Sequence, residues 1–230
     1  ILAEALEMQG HALAALAHRQ QAVDLGAPLL QDHDPLMITW RINLASSQAA
    51  LGLTAPALET TTDLVELVET HPGWVDDETL SGIYLTHGMV LTLDGQLDAA
   101  IATYRKGVEI DLALYGPNHA FIAISRDHLA VALYQAGRLD EAFDQSQEAW
   151  LAARSSYGDD HPHTHELGLH LSQIALELGQ NMVVLAAACE TARSDAVTQA
   201  DRDYARQLCQ AARGQGIAPV SPFTGLVPLP

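Results

Sequence analysis

Residues 135–150 read QAGRLDEAFDQSQEAW, and residues 93–108, LDGQLDAAIATYRKGV, are a near copy set 42 residues earlier. Around the later copy the apolar positions fall at steps of three and four: Leu129, Leu133 and Tyr134 before Gly137, then Leu139, Ala142, Phe143, Ala149 and Trp150 after it. That spacing gives each segment one apolar helical face. A glycine between two such segments takes the left-handed turn that ends the first helix, where a Cβ would cost energy. The stretch therefore predicts two antiparallel helices hinged at Gly137.

The phrase recurs along the whole chain. Glycines at 10, 52, 95, 137 and 179 stand 42, 43, 42 and 42 residues apart, and other positions keep step with them. Seven residues before each glycine lie Ala3, Ala45, Gly88, Ala130 and Ser172, all small; eight before lie Leu2, Leu44, His87, Leu129 and Leu171. Five after lie Ala15, Ala57, Ala100, Ala142 and Val184. A period of this size marks a solenoid, in which each unit buries its apolar face only against its neighbours. The small residues let paired helix axes approach closely, so a leucine at 100 or 142 would overpack the hairpin. First helices are expected near 36–50, 78–93, 119–135 and 163–178, and second helices near 11–25, 55–70, 97–114, 139–156 and 182–193. A polar helix near 195–213 caps the stack, as terminal repeats require. Residues 214–230, GQGIAPVSPFTGLVPLP, hold four prolines and three glycines and read as a tail or linker. The domain division is thus 1–213 and 214–230.

Composition narrows the function. Of 230 residues, 48% are hydrophobic, enough to bury a core, yet no apolar run approaches the roughly 20 residues of a membrane span. Lys and Arg number 11 against 29 Asp and Glu, a formal charge of -18, which repels phosphate backbones and anionic membranes alike. Nucleic acid and membrane are excluded as expected partners, and the location expected is cytoplasmic. Cys189 and Cys209, 20 apart on expected helices, cannot build a dense disulfide framework and suit a reducing compartment. Lys106 is the single lysine and alanine is abundant, which hints at a GC-rich bacterial genome. Because ILAEALEMQG already reads as helix at residue 1, the chain is expected to be a piece of a longer protein.

A small residue, a glycine, LDEA and a further small residue resemble the tetratricopeptide repeat. The linkers LYGPNHAFI at 114–122 and SYGDDHPHT at 156–164 look like the Gly-x-x-His-Pro linkers of the kinesin-light-chain subclass, whose units are 42 residues long. The resemblance covers roughly residues 1–192 and is weakest in the fifth unit, where Asn181 and Val184 replace the Leu and Ala found at 139 and 142. It implies an all-α, right-handed superhelical solenoid of antiparallel helix pairs, about five repeats with a C-terminal cap. It also implies protein or peptide binding in a concave groove lined by the first helices. Carried onto this sequence, that groove holds Asn43, Ser46 and Ala50; Thr86, Met89 and Leu93; Asp127, His128, Val131 and Gln135; and His170, beside His128 in register, with Gln173 and Glu177. The family's peptide clamp grips a terminal carboxylate with Lys, Arg and Asn. Here Ser46, Met89, Val131 and Gln173 stand at the asparagine positions and no lysine lines these helices, so an acidic body with a mixed groove suits a segment with basic flanks.

Other chemistry finds little support. His161, His163, His165 and His170 crowd the linker DDHPHTHE and its helix, but Pro162 marks a first turn with Asp160 or His161 as its cap, which turns the imidazoles in different directions. No metal and no cofactor is expected; a histidine module for metal or pH sensing remains the third reading. Asp34 before Pro35 reads as a cap, and Trp74 in HPGWVDDE as a residue packed on the preceding helix. No nucleophile motif, phosphate loop or HExxH occurs, so the chain is read as a non-enzyme, a scaffold or sensor. Bacterial proteins of this look carry such arrays beside kinases, proteases or nucleotide switches, which gives a second reading as a regulatory arm.

Overall fold

The computed structural model describes residue 3 and residues 11–214. Ten helices lie among them: α1 Ala12–Gly26, α2 Pro35–Ala50, α3 Thr54–Thr70, α4 Asp77–Leu93, α5 Leu97–Tyr115, α6 Ala120–Gln135, α7 Leu139–Tyr157, α8 Pro162–Glu177, α9 Asn181–Thr191 and α10 Gln199–Ala212. The described residues contain no strand. Every expected helix with described residues is present, with ends shifted by a few residues at most. Leu2, Gly10 and the tail beyond Gly214 lie outside the described residues.

Four hairpins share one turn. Gly52, Gly95, Gly137 and Gly179 have φ of 74°, 79°, 74° and 70°. Each glycine N–H donates to the carbonyl three residues back, and the next residue's N–H reaches five back, as in Arg138 to Leu133 at 2.9 Å and Gln180 to Ala175 at 2.7 Å. This pair of bonds satisfies the carbonyls that end the first helix. The other ends of the hairpins are equally regular. Asp34, Asp76, His119 and His161, in step with the period, each cap the following first helix with a side-chain acceptor. The histidines do so through Nδ1, to the N–H of Phe121 at 3.3 Å and of His163 at 3.2 Å. Both imidazoles also stack on a tyrosine that ends the previous helix, Tyr115 and Tyr157, with ring centres 4.7 Å apart in each case.

The described chain divides into two compact units between Ile110 and Asp111, a point inside α5. In the first unit α1 packs on α2, α2 on α3, α3 on α4, and the first helices α2 and α4 meet. Its core is Ile38, Leu64, Val68 and Ile83. Trp74 stacks on His71, just past α3, at 3.7 Å and lies 4.3 Å from the His33 ring, while its side chain stays exposed. Lys106 Nζ bonds Glu69 at 2.6 Å and stands 5.1 Å over the Tyr84 ring; the bond to Glu69 raises its pKa.

In the second unit α6 pairs with α7 and α8 with α9, while α6 touches α8 and α8 touches α10. The terminal helix thus takes the place of a further first helix. One core gathers Ile122, Trp150, Leu167 and Leu171; another joins Leu169, Ala175, Val184 and Ala188 to Ala205, Leu208 and Ala212 of α10. Cys189 and Cys209, expected as two thiols, are joined in a disulfide with Cα atoms 5.4 Å apart. The α9–α10 pairing brings them face to face, which a spacing of 20 across a loop of unknown path could not reveal.

The small registers are the tightest places. Ala15, Ala45, Ala57, Ala100, Ala130, Ala142, Ser172 and Val184 are all fully buried. Gly88 departs from this series for a reason found sixteen residues on. Thr61, Ser146 and Ala188 stand sixteen after Ala45, Ala130 and Ser172, but Gly88 is followed at that distance by Tyr104. A Cβ on Gly88 would lie 2.7 Å from the Tyr104 ring, which is wholly buried.

Candidate binding groove

The first helices carry the residues expected to meet a partner, and burial sorts them. In the first unit Thr86 and Met89 of α4 are buried, Asn43 and Ser46 of α2 are half-buried, and Ala50 and Leu93 are exposed. In the second unit His128, Val131 and Gln173 are buried, Asp127 and His170 are half-buried, and Gln135 and Glu177 are exposed. Among these residues, the exposed and half-buried ones are open to solvent, while the buried ones pack beneath them.

Neighbouring first helices are cross-linked by polar pairs. His170 Nδ1 of α8 donates to both oxygens of Asp127 on α6, at 2.8 and 3.1 Å. Two turns along both α6 and α8, the Tyr134 hydroxyl donates to Glu177, which also accepts from Gln173 Nε2 at 3.0 Å. Gln173 in turn accepts from the Tyr204 hydroxyl of α10. The chain Tyr134–Glu177–Gln173–Tyr204 therefore spans three helices. The expectation that His170 sits in register with His128 needs one residue of adjustment: both bonded pairs, 127 with 170 and 134 with 177, are 43 apart, one period plus one. Tyr134 and Tyr204 were absent from the expected set. A search for complementary side chains at one period plus one would have found Tyr134, whereas α10 breaks the period and leaves no such signal for Tyr204.

Charge is set by these pairs. Burial works against the Asp127 carboxylate, but the His170 cation and its hydrogen bond outweigh it and hold the acid below its usual range. Burial likewise works against charge on His170, and Asp127, by attraction and hydrogen bond, raises it above the usual histidine value. Burial lowers His128, which lies beside the same carboxylate, toward the neutral form. Burial pushes the Tyr204 phenol far up, so it stays a donor.

The histidine-rich linker does not converge. His161 caps α8, His163 Nδ1 meets Glu166 at 2.8 Å, and His165 turns inward between Thr191 at 3.1 Å and Asp160 at 3.0 Å. Asp160 also accepts from the Ser194 hydroxyl at 2.6 Å, so it ties the linker to the end of α9 instead of capping α8. Among the described residues no group of three acidic, histidine or cysteine side chains is placed to hold a metal ion. A cleft of about 460 Å³ in the first unit, bordered by Asp32, Met37, Arg41, Asp63, Glu66 and Leu67, contains none of the expected groove residues. No described helix is long and apolar enough to cross a membrane.

Comparison with known proteins agrees with this architecture. Residues 79–150 match the tetratricopeptide repeat family model. Two solved structures from Podosopora anserina, of kinesin-light-chain-type chains with nearly identical TPR-like repeats, superpose with TM-scores of 0.68 and 0.67 at 18% and 17% identity. They cover 93% of this chain and 90% and 92% of theirs. BtubC (BKLC) from P. vanneervenii superposes with a TM-score of 0.71 at 15% identity, over 86% of this chain and 82% of its own. No curated protein matches the sequence.

Proposed function

We propose that this chain, which carries tetratricopeptide repeats in a fold shared with kinesin-light-chain-like structures, is a non-catalytic module that binds a protein or peptide segment along its first helices. The observation that carries the reading is the polar ladder of the second unit. Asp127–His170 and Tyr134–Glu177–Gln173 fix neighbouring first helices side by side, and Gln135 and Glu177 project beside them. A preorganised row of polar groups between buried apolar positions is how a helical repeat reads a partner segment, since little ordering remains to be done on binding. The formal charge of -18 favours a segment flanked by Lys or Arg, and such attraction acts mainly on the rate of encounter.

The test is selection from a displayed library of random peptides at low and high salt, using the 230-residue chain and a Gln135→Arg variant. The wild type is expected to enrich basic-flanked peptides, and the variant to bind them at least tenfold more weakly with its helical melting retained. Equal binding by both proteins would remove the groove from consideration, and enrichment of acidic peptides would remove the charge argument.

A further inference from the structure

Helix α10 is held to the rest of the second unit in an unusual way. Its apolar contact is slender: Ala205, Leu208 and Ala212 are its core side chains, packed on Leu169, Ala175, Val184 and Ala188 of α8 and α9. Asp203, Arg206, Gln207 and Gln210 are exposed on its outer side, while Asp201 and Arg202 are half-buried. Fourteen residues is near the lower limit at which a helix persists without tertiary support. Four further attachments make up for this. A capping box between Thr198 and Asp201 starts the helix, the Tyr204 hydroxyl bonds Gln173 on α8, Arg202 Nη1 donates to the Ser194 carbonyl just past α9 at 3.1 Å, and the Cys189–Cys209 disulfide ties it covalently to α9. Both cysteines are buried, and Cys209 lies three residues before the end of α10, in the last turn, so a reagent reaches the disulfide when that turn frays.

We propose that α10 is a redox-released cover on α8, with Cys189–Cys209 as its latch and Tyr204 as the group that occupies Gln173. The idea that the uncovered face then receives a partner segment rests on the binding reading above. Opening needs a dithiol reductant of the thioredoxin class. One of its thiolates attacks a protein sulfur, the Cys189–Cys209 bond breaks as a mixed disulfide forms, and its second thiol displaces that intermediate. Two electrons and two protons pass to the protein, which ends with two cysteine thiols while the reductant ends as a disulfide. Without the latch, α10 is held by its apolar strip, the Tyr204 bond and the Arg202 contacts with Ser194 and Asp195, none of them covalent. Closing a loop of about 20 residues covalently suppresses opening on the order of a hundredfold. Under oxidation Gln173 is therefore engaged by the chain itself, and under reduction it is available to a competitor.

Hydrogen exchange on the whole 230-residue chain, with no peptide present, tests the latch independently of the binding reading. Three samples are compared: air-oxidised protein, the same protein with excess dithiothreitol, and Cys209→Ser. Residues 199–212 are expected to exchange on the order of a hundredfold faster in the last two, while α6 and α7 keep their protection. Tyr204→Phe should accelerate the reduced sample further and the oxidised one little. Equal protection of α10 in all three samples, loss of protection throughout the second unit on reduction, or two alkylatable thiols in the oxidised protein would each overturn the proposal. If exchange behaves as expected but peptide binding is the same oxidised and reduced, the latch stands and its link to the groove fails.

Discussion

Gly88 and Tyr104 show how a single exchange is absorbed within a repeat. The two positions elsewhere hold Ala45 with Thr61 and Ala130 with Ser146, so the methyl missing at 88 makes room for part of the larger Tyr104 ring. Gly88→Ala gains helix propensity, about 1 kcal/mol, but drives a Cβ into a buried aromatic ring, an overpacking cost of about 1–3 kcal/mol. Tyr104→Thr alone empties the space and costs about 3–5 kcal/mol. Chemical denaturation is expected to show both single variants destabilised and the double variant recovering a large part of the loss, because it recreates the Ala45–Thr61 arrangement. Strict additivity would refute the compensation. His170 offers a second measurement. Its pKa is raised by Asp127, so its contribution to stability is complete below about pH 6.5 and is lost as pH rises through its folded value. The Asp127 carboxylate is lowered, so its share is present above about pH 4 and disappears as pH falls through its folded value. Buried neutral His128 opposes the pair on the acid side, since the unfolded chain takes up its proton first. The denaturation midpoint of His170→Gln should therefore fall below that of the wild type by more at pH 5 than at pH 8. A gap that is the same at both pH values would mean that the pair contributes no charge.

At the scale of helices, the hairpin is defined by a glycine turn at one end and a small-residue seam along its length. Ala130 and Ala142 are fully buried on the α6–α7 pair. Ala142→Leu is expected to lower stability by about 1–3 kcal/mol, measured by thermal melting, and unchanged melting would contradict close axial approach at that seam. These features were readable from sequence because each is local: the φ of Gly137 and the size of Ala142 act on the turn and face where they stand. The caps were half readable. Asp34 and His161 stand where a proline-marked helix start requires an acceptor, but the choice of His161 over Asp160 depended on Ser194, which lies 34 residues further on. The disulfide and the Tyr204 contact were not readable, because α10 departs from the 42-residue period: its apolar residues at 204, 205, 208 and 212 mark the inward face, but nothing in the sequence says which helices that face meets. Contacts between α6 and α8 follow one period plus one residue, so His170, in register with His128, bonds the neighbouring Asp127.

For the molecule as a whole, repetition places groups at regular intervals while charge is left to composition. The 29 acids against 11 bases make self-repulsion and solubility global properties, and they bias any encounter toward cationic partners without naming one. Among the bases, Lys106 has a distinct consequence. It is the chain's one lysine, held by Glu69 and the Tyr84 ring, and it lies in α5 four residues before the division at Ile110. An amine-directed dye or cross-linker therefore finds a single side chain to modify. A lysine-specific protease has a single peptide bond to cut, Lys106–Gly107, which it reaches only when that helix opens. The chain thus carries a built-in reporter for the helix that spans its two units.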